Sequence, residues 1–180
     1  MKAELRRLLL GTGSLMLILF LAVGCASIPP QGQSVQGAWR LVSWETVFKD
    51  GTVTHPYGKT PTGFIIYEPS GWMSVQVVRD PMPPVPASGH SLIGATLEEK
   101  SAAYSAYYAY WGRYSIDASK SKVSHVLTAS LLPHEVGRTY ERTFSIEGDR
   151  LLLTTPPYRS GGKEAFNRLT WQRLPSELRP

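Results

Sequence analysis

The chain has 180 residues, with 19 Lys or Arg against 14 Asp or Glu and a formal net charge of +5. Its basic residues are scattered, which argues against nucleic acid as a partner, since such sites need a block or stripe of cations. A single cysteine excludes an intramolecular disulfide, so stability must come from an apolar core, and the chain is long enough for one such domain.

At the amino end, Lys2, Arg6 and Arg7 make a basic start, and Leu8 to Val23 is almost wholly apolar apart from Thr12 and Ser14. That is the layout of a secretory signal, and it is short for a membrane span. Leu21-Ala22-Val23-Gly24-Cys25 resembles the lipobox of bacterial lipoproteins, with Ala22 where that family prefers Leu. The resemblance implies cleavage of residues 1–24, a diacylated Cys25 thiol and an acylated new amino terminus. A membrane-anchoring helix with a chance cysteine is the competing reading. Ala26-Ser27, with no Asp beside the cysteine, resembles cargo sent on to the outer membrane in enteric-type bacteria. The expected location is therefore the bacterial cell envelope, lipid-anchored at the outer membrane and facing the periplasm. Losing the signal removes Lys2, Arg6, Arg7 and Glu4, which leaves a mature charge near +3.

Residues 25–36 read as a lipidated tether, rich in Pro, Gln and Gly. From Gly37 the chain becomes a series of short strands separated by turn signals, the pattern of a sandwich or barrel. The predicted strands are 39–48, 63–67, 72–78, 110–117, 122–131, 138–146, 150–154 and 165–173. Their breaks fall at Lys49-Asp50-Gly51, Pro69-Ser70-Gly71, Asp117–Ser121, Pro133–Gly137, Gly148-Asp149 and Tyr158–Gly162, where reversals find the residues they need. One helix interrupts them: Thr96 and Glu99 form a capping-box pattern ahead of a helix from Leu97 to about Tyr107. Four prolines between Asp80 and Ser91 predict an extended loop before it. Loop and helix together make a long insertion, placed to cover a barrel mouth or plug one end. Residues 175–180 read as a tail.

Several segments carry a likeness to a known family. Gly37-Ala38-Trp39 resembles the Gly-x-Trp start of lipocalin-like barrels. Gly63–Tyr67, Gly71-Trp72-Met73-Ser74, Tyr110–Tyr114, His125, Ser130–Gly137, Gly148–Leu151 and Arg168–Trp171 resemble a bacterial lipocalin-like domain family, in order over residues 37–173. The resemblance implies an all-β fold: a single antiparallel up-and-down lipocalin-like barrel of about eight strands with one inserted helix, over residues 37–174. It also implies that Trp39 closes the barrel floor under an arginine, Arg173 or Arg168.

Chemistry-bearing residues are few. In the sixth strand Val123, His125, Leu127, Ala129 and Leu131 share one face, and Ser124, Val126, Thr128 and Ser130 the other. His125 thus points toward the apolar interior, either to orient a ligand, to act as acid or base, or to sit satisfied in the core. Tyr67, Met73 and Tyr110 are the other candidate ligand-binding residues. Tyr104, Tyr107, Tyr108 and Trp111 fall at helical spacing and would share one face if the helix ran that far. No metal-ligand spacing, nucleophile elbow or phosphate loop is present, so no cofactor is expected. Three functions follow: a lipid-anchored carrier of a small hydrophobic or amphipathic ligand, a barrel isomerase, hydratase or cyclase using His125, or a structural lipoprotein with a filled core.

Overall fold

The computed structural model describes residues 34–87, 89 and 93–175. Cys25, the signal, residues 25–33 of the tether, His90, Ser91 and residues 176–180 lie outside the described residues. Ten strands and one helix follow in order: β1 (Gly37–Phe48), β2 (Val53–Thr54), β3 (Thr62–Tyr67), β4 (Trp72–Val78), α1 (Leu97–Ala106), β5 (Tyr107–Asp117), β6 (Lys122–Ser130), β7 (Thr139–Glu147), β8 (Arg150–Thr154), β9 (Tyr158–Ser160) and β10 (Lys163–Arg173). Eight of them close in the order β1-β3-β4-β5-β6-β7-β8-β10, with β10 returning to β1, and every pairing is antiparallel. β2 and β9 are short additions to β1 and β10. Closure pairs each of the eight barrel strands with a neighbour on both sides over at least part of its length, which is the physical gain of a barrel over an open sheet.

Alternation fills the interior. Trp39, Leu41, Ile65, Tyr67, Met73, Val75, Val77, Tyr110, Val123, Leu127, Leu151, Leu153, Leu169 and Trp171 form one buried core. Two bulges re-aim it. In β1 the register slips between Leu41 and Ser43, so that Trp44 and Thr46 turn inward beside Leu169 and Asn167. In β6, Trp111 pairs with Ala129 but Gly112 with Leu127, so Thr128 is the extra residue. This corrects the strict alternation expected there: Ser130 lies opposite the inward Tyr110 instead of sharing the outer face with Ser124 and Val126. Gly112 permits the bulge, because a Cβ at that position would stand 2.0 Å from the Val126 carbonyl oxygen.

Other boundaries differ from expectation, and the short strand Val53–Thr54 was not expected. The helix begins on its capping box, with Thr96 Oγ1 accepting from the Glu99 N–H and Glu99 accepting from the Thr96 N–H. It ends at Ala106, and Tyr107 already has extended backbone. The aromatic residues expected on one helical face are therefore split by strand alternation, with Tyr107 and Trp111 outside and Tyr108 and Tyr110 inside. Tyr158–Ser160, read as part of a turn, forms the small strand β9.

The closed end of the barrel is built on Trp39, which is fully buried. Its indole N–H donates to the Val35 carbonyl at 2.8 Å, and the Arg173 guanidinium stacks 4.0 Å above its ring. Arg173 also donates to the carbonyls of Ser34 and Gln36 at 2.9 and 3.0 Å, stitching the segment before β1 across the floor. Arg173 is thus the floor arginine, while Arg168 pairs with Glu45 at 2.7 Å. The chain enters the barrel at this closed end, and the insertion carrying α1 joins β4 to β5 at the opposite end.

Candidate functional site

A cavity of about 660 Å³ occupies the barrel and opens at the end opposite the floor. Its apolar walls come from Ile65, Val75, Leu132, Leu153, Leu169, Trp171, Pro156 and Pro157. One side is a run of rings. Tyr57 stacks on Trp44 at 4.7 Å between centroids, Trp44 meets Tyr108 at 5.7 Å, Tyr108 meets Tyr110 at 5.6 Å, and Tyr110 meets His125 at 6.0 Å. Such offset and edge contacts hold large side chains rigid around the space they enclose.

His125 lies where that run reaches the core. Its Nε2 is 2.8 Å from the Tyr67 hydroxyl and its Nδ1 is 2.9 Å from the Tyr110 hydroxyl. Burial, with the positive charge of Arg142 adding to it, lowers the imidazole pKa to about 3, so the ring is neutral at physiological pH. A neutral imidazole has one N–H donor and one acceptor nitrogen. Tyr67 and Tyr110 are both buried, and neither hydroxyl has another partner among the described residues, so one phenol donates to the ring and the other accepts from it. Burial raises both phenols, Tyr67 well above its usual range and Tyr110 to about 12, so both remain protonated.

Of the residues expected to touch a ligand, His125 and Tyr110 line the cavity. Tyr67 and Met73 are buried core residues that do not line it: Tyr67 supports His125 from behind, and Met73 pairs with Tyr67 across β3 and β4. Cys25 lies outside the described residues.

Several cavity residues escaped the sequence reading. Glu135 sits in a 3-10 turn after β6 that reads as plain punctuation in the sequence, yet it is buried. Both its oxygens accept from the Tyr108 hydroxyl (3.2 and 3.1 Å), and one also accepts from Ser130 Oγ at 2.7 Å. Tyr108 is raised by burial first, with neighbouring Tyr110 and Glu135 adding to it. Asn167 Oδ1 accepts from Thr46 at 2.8 Å and Tyr158 at 2.9 Å. Arg142 is the most informative of the missed residues. Tyr140, Arg142, Phe144 and Ile146 form the half-buried inner face of β7 while Glu141, Thr143 and Ser145 face out. An arginine within an apolar alternation was the available signal.

The wall is not continuous. Pairing of β7 with β8 stops at Thr143 and Thr154, and the stretches continuing toward the mouth, Tyr140 to Arg142 and Thr155 to Pro157, line the cavity. Pro156 and Pro157 have no N–H to give a ladder, so pairing cannot resume there. A second, wider groove of about 940 Å³ lies outside the barrel between the proline loop, α1 and Leu131, but it is an open surface feature. Among the described residues no group of His, Cys, Asp and Glu converges as a metal site, and no helix is long and apolar enough to cross a membrane.

A closed eight-stranded antiparallel barrel with a floor tryptophan under an arginine and a cavity open at the far end defines the calycin-like architecture. A family profile described as lipocalin-like domain matches residues 36–174, and the chain belongs to that family. No curated protein and no solved structure gives a significant match.

Proposed function

We propose that this protein is a lipid-anchored carrier of the bacterial cell envelope that takes a small hydrophobic or amphipathic molecule into its barrel. The cavity carries this reading: its volume falls in the range of small-molecule sites, its walls are mostly apolar, and its few polar groups are fixed in place. Apolar area buried there contributes roughly 25 cal/mol per Å², and groups such as the Tyr110 hydroxyl set orientation. A filled-core structural protein would have no such space. Acid–base catalysis at His125 is disfavoured because both ring nitrogens are engaged by phenols and the ring stays neutral down to a pH of about 3.

Support for the anchor lies in the sequence: the basic start, the apolar run and Leu21–Cys25. Several acyl chains, at about 0.8 kcal/mol per buried methylene, would hold the protein on a membrane. A tether leading into the floor would leave the cavity mouth on the side of the barrel away from that attachment. Outer-membrane placement facing the periplasm is the location that Ala26-Ser27 favours.

Two experiments test these statements. Native mass spectrometry of protein purified gently from its own host should show a discrete, extractable adduct, and an apolar fluorescent probe should compete with it. Leu153→Trp, which fills the cavity from its wall, should weaken probe binding by about tenfold or more while the far-ultraviolet spectrum is kept. Unchanged probe binding would place the ligand outside the barrel. For the anchor, Cys25→Ser should release the protein from membranes or leave it unprocessed. A signal-cleaved variant that still fractionates with membranes like wild type would refute lipidation.

A further inference from the structure

The polar groups on the cavity wall are unevenly satisfied. Its acceptors are occupied: Glu135 accepts from Tyr108 and Ser130, and Asn167 Oδ1 accepts from Thr46 and Tyr158. Its donors are in surplus. The indole N–H groups of Trp44 and Trp171, both on the wall, are buried without a partner among the described residues.

Arg142 adds most to this surplus. It projects from the inner face of β7, with its guanidinium carbon 5.1 Å from the centroid of the Tyr140 ring. Of its five N–H donors, the one hydrogen bond among the described residues goes from NH1 to the Glu141 carbonyl at 2.8 Å. No carboxylate lies within ion-pairing distance of it among the described residues. Its charge nevertheless reaches His125, Tyr67, Tyr110 and Tyr140, which places it at the polar end of the cavity beside the gap between β7 and Pro156-Pro157. Arg138, at the mouth, is the second cation on the wall, and Glu135 is the one carboxylate, so the lining carries net positive charge.

We propose that the ligand is an amphiphile with one acidic head group, a carboxylate on an apolar body, and that Arg142 receives the head group at the gap beside β7 while the body lies among Ile65, Val75, Leu153 and Leu169. This rests on the carrier reading above and narrows it. A planar guanidinium matches a carboxylate through two parallel hydrogen bonds, and such charge-assisted pairs are the strong ones in a partly dry site. Arg138 at the mouth adds a second positive charge to attract such a head. A neutral or cationic amphiphile would leave Arg142 without a carboxylate partner.

The test uses the full chain in a non-ionic detergent, titrated with dodecanoate and with dodecanol and read by native mass spectrometry. The two probes share one tail and differ only in the head. Wild type should bind dodecanoate about tenfold or more tightly than dodecanol, the range expected for a hydrogen bond to a charged group. Arg142→Gln should erase that preference, and a far-ultraviolet spectrum and urea midpoint like those of wild type show that the variant is folded. Arg142→Lys, keeping the charge without the planar fork, should retain part of the preference and serves if the glutamine variant does not fold. Equal binding of both probes by wild type overturns the acidic-head assignment and leaves the carrier reading standing. A preference that survives Arg142→Gln overturns the assignment to Arg142. Binding of neither probe, nor of any apolar fluorophore, refutes the carrier reading itself.

Discussion

Burying His125 as a neutral ring makes the stability of this barrel depend on pH in a way that one substitution should remove. In the unfolded chain the imidazole titrates near 6.5, whereas in the folded barrel its pKa is lowered to about 3, by burial first and the charge of Arg142 second. Between those values the unfolded chain binds a proton that the folded chain refuses. Stability therefore rises with pH across this window and falls as the solution is acidified from 7 toward 3. Going from pH 7 to pH 5, the unfolded state gains about 2 kcal/mol from this one proton, or roughly 1 M in urea midpoint for a domain of this size. His125→Gln is the informative control, because an amide can still donate to one tyrosine and accept from the other but does not titrate in this range. Urea unfolding of both proteins at pH 7 and pH 5 gives a double difference in which the carboxylates and exposed histidines cancel. Wild type should lose about 2 kcal/mol more than the variant on acidification. Parallel losses would mean that His125 accepts a proton in the folded barrel, and the picture of a buried, doubly bonded neutral ring would fail.

Other outcomes follow from the same geometry. Long-range nitrogen–proton correlation spectra at neutral pH should show His125 with one ring nitrogen protonated and the other bare, and protons on both nitrogens would refute the neutral ring. Tyr67→Phe removes the buried hydroxyl bonded to Nε2 and should cost about 1–3 kcal/mol in urea unfolding. Gly112→Ala should cost on the order of 2–4 kcal/mol, because its Cβ would meet a backbone oxygen and not a movable side chain; a neutral effect would mean that the bulge relaxes freely. Arg173→Gln should lower the melting temperature by loosening the Ser34–Gln36 segment from the floor, and an unchanged melting point would show that stacking on Trp39 contributes little.

The strand layout was legible because this chain marks its turns with Gly, Pro, Asp and Ser, and because the barrel buries one face of each strand. Trp72–Val78 and Arg150–Thr154 have the boundaries that alternation alone predicts. What alternation cannot supply is a change of phase. The β1 bulge turns Trp44 and Thr46 into the barrel, and the Thr128 bulge turns Ser130 toward Glu135. Both shifts follow from pairing with strands far along the chain, so no local window contains them. Tyr107 and Tyr108 fail for a related reason. Their helical spacing to Tyr104 and Trp111 is real, but pairing with Val78 and Val77 of β4 outweighs it, and the helix stops one residue earlier.

The candidate site shows the same division between what is local and what is assembled. His125 could be found because a histidine stands out on an apolar face, whereas its properties depend on Tyr67, 58 positions before it, and Tyr110, 15 before it. The sequence therefore singles out the residue and leaves three roles open for it. Arg142 reverses the case. Its place among Tyr140, Phe144 and Ile146 was visible in sequence, but a lone arginine on such a face is meaningful only once the absence of a nearby carboxylate is known. That absence is a property of the closed barrel, in which Glu135 is already occupied by Tyr108 and Ser130. A folded chain leaves a donor unpaired beside a cavity at a cost, and a ligand that supplies the acceptor removes that cost. For this barrel the Arg142 guanidinium, without a carboxylate on a wall of net positive charge, is the most specific statement about its ligand, and it argues for an acidic head over a merely apolar body.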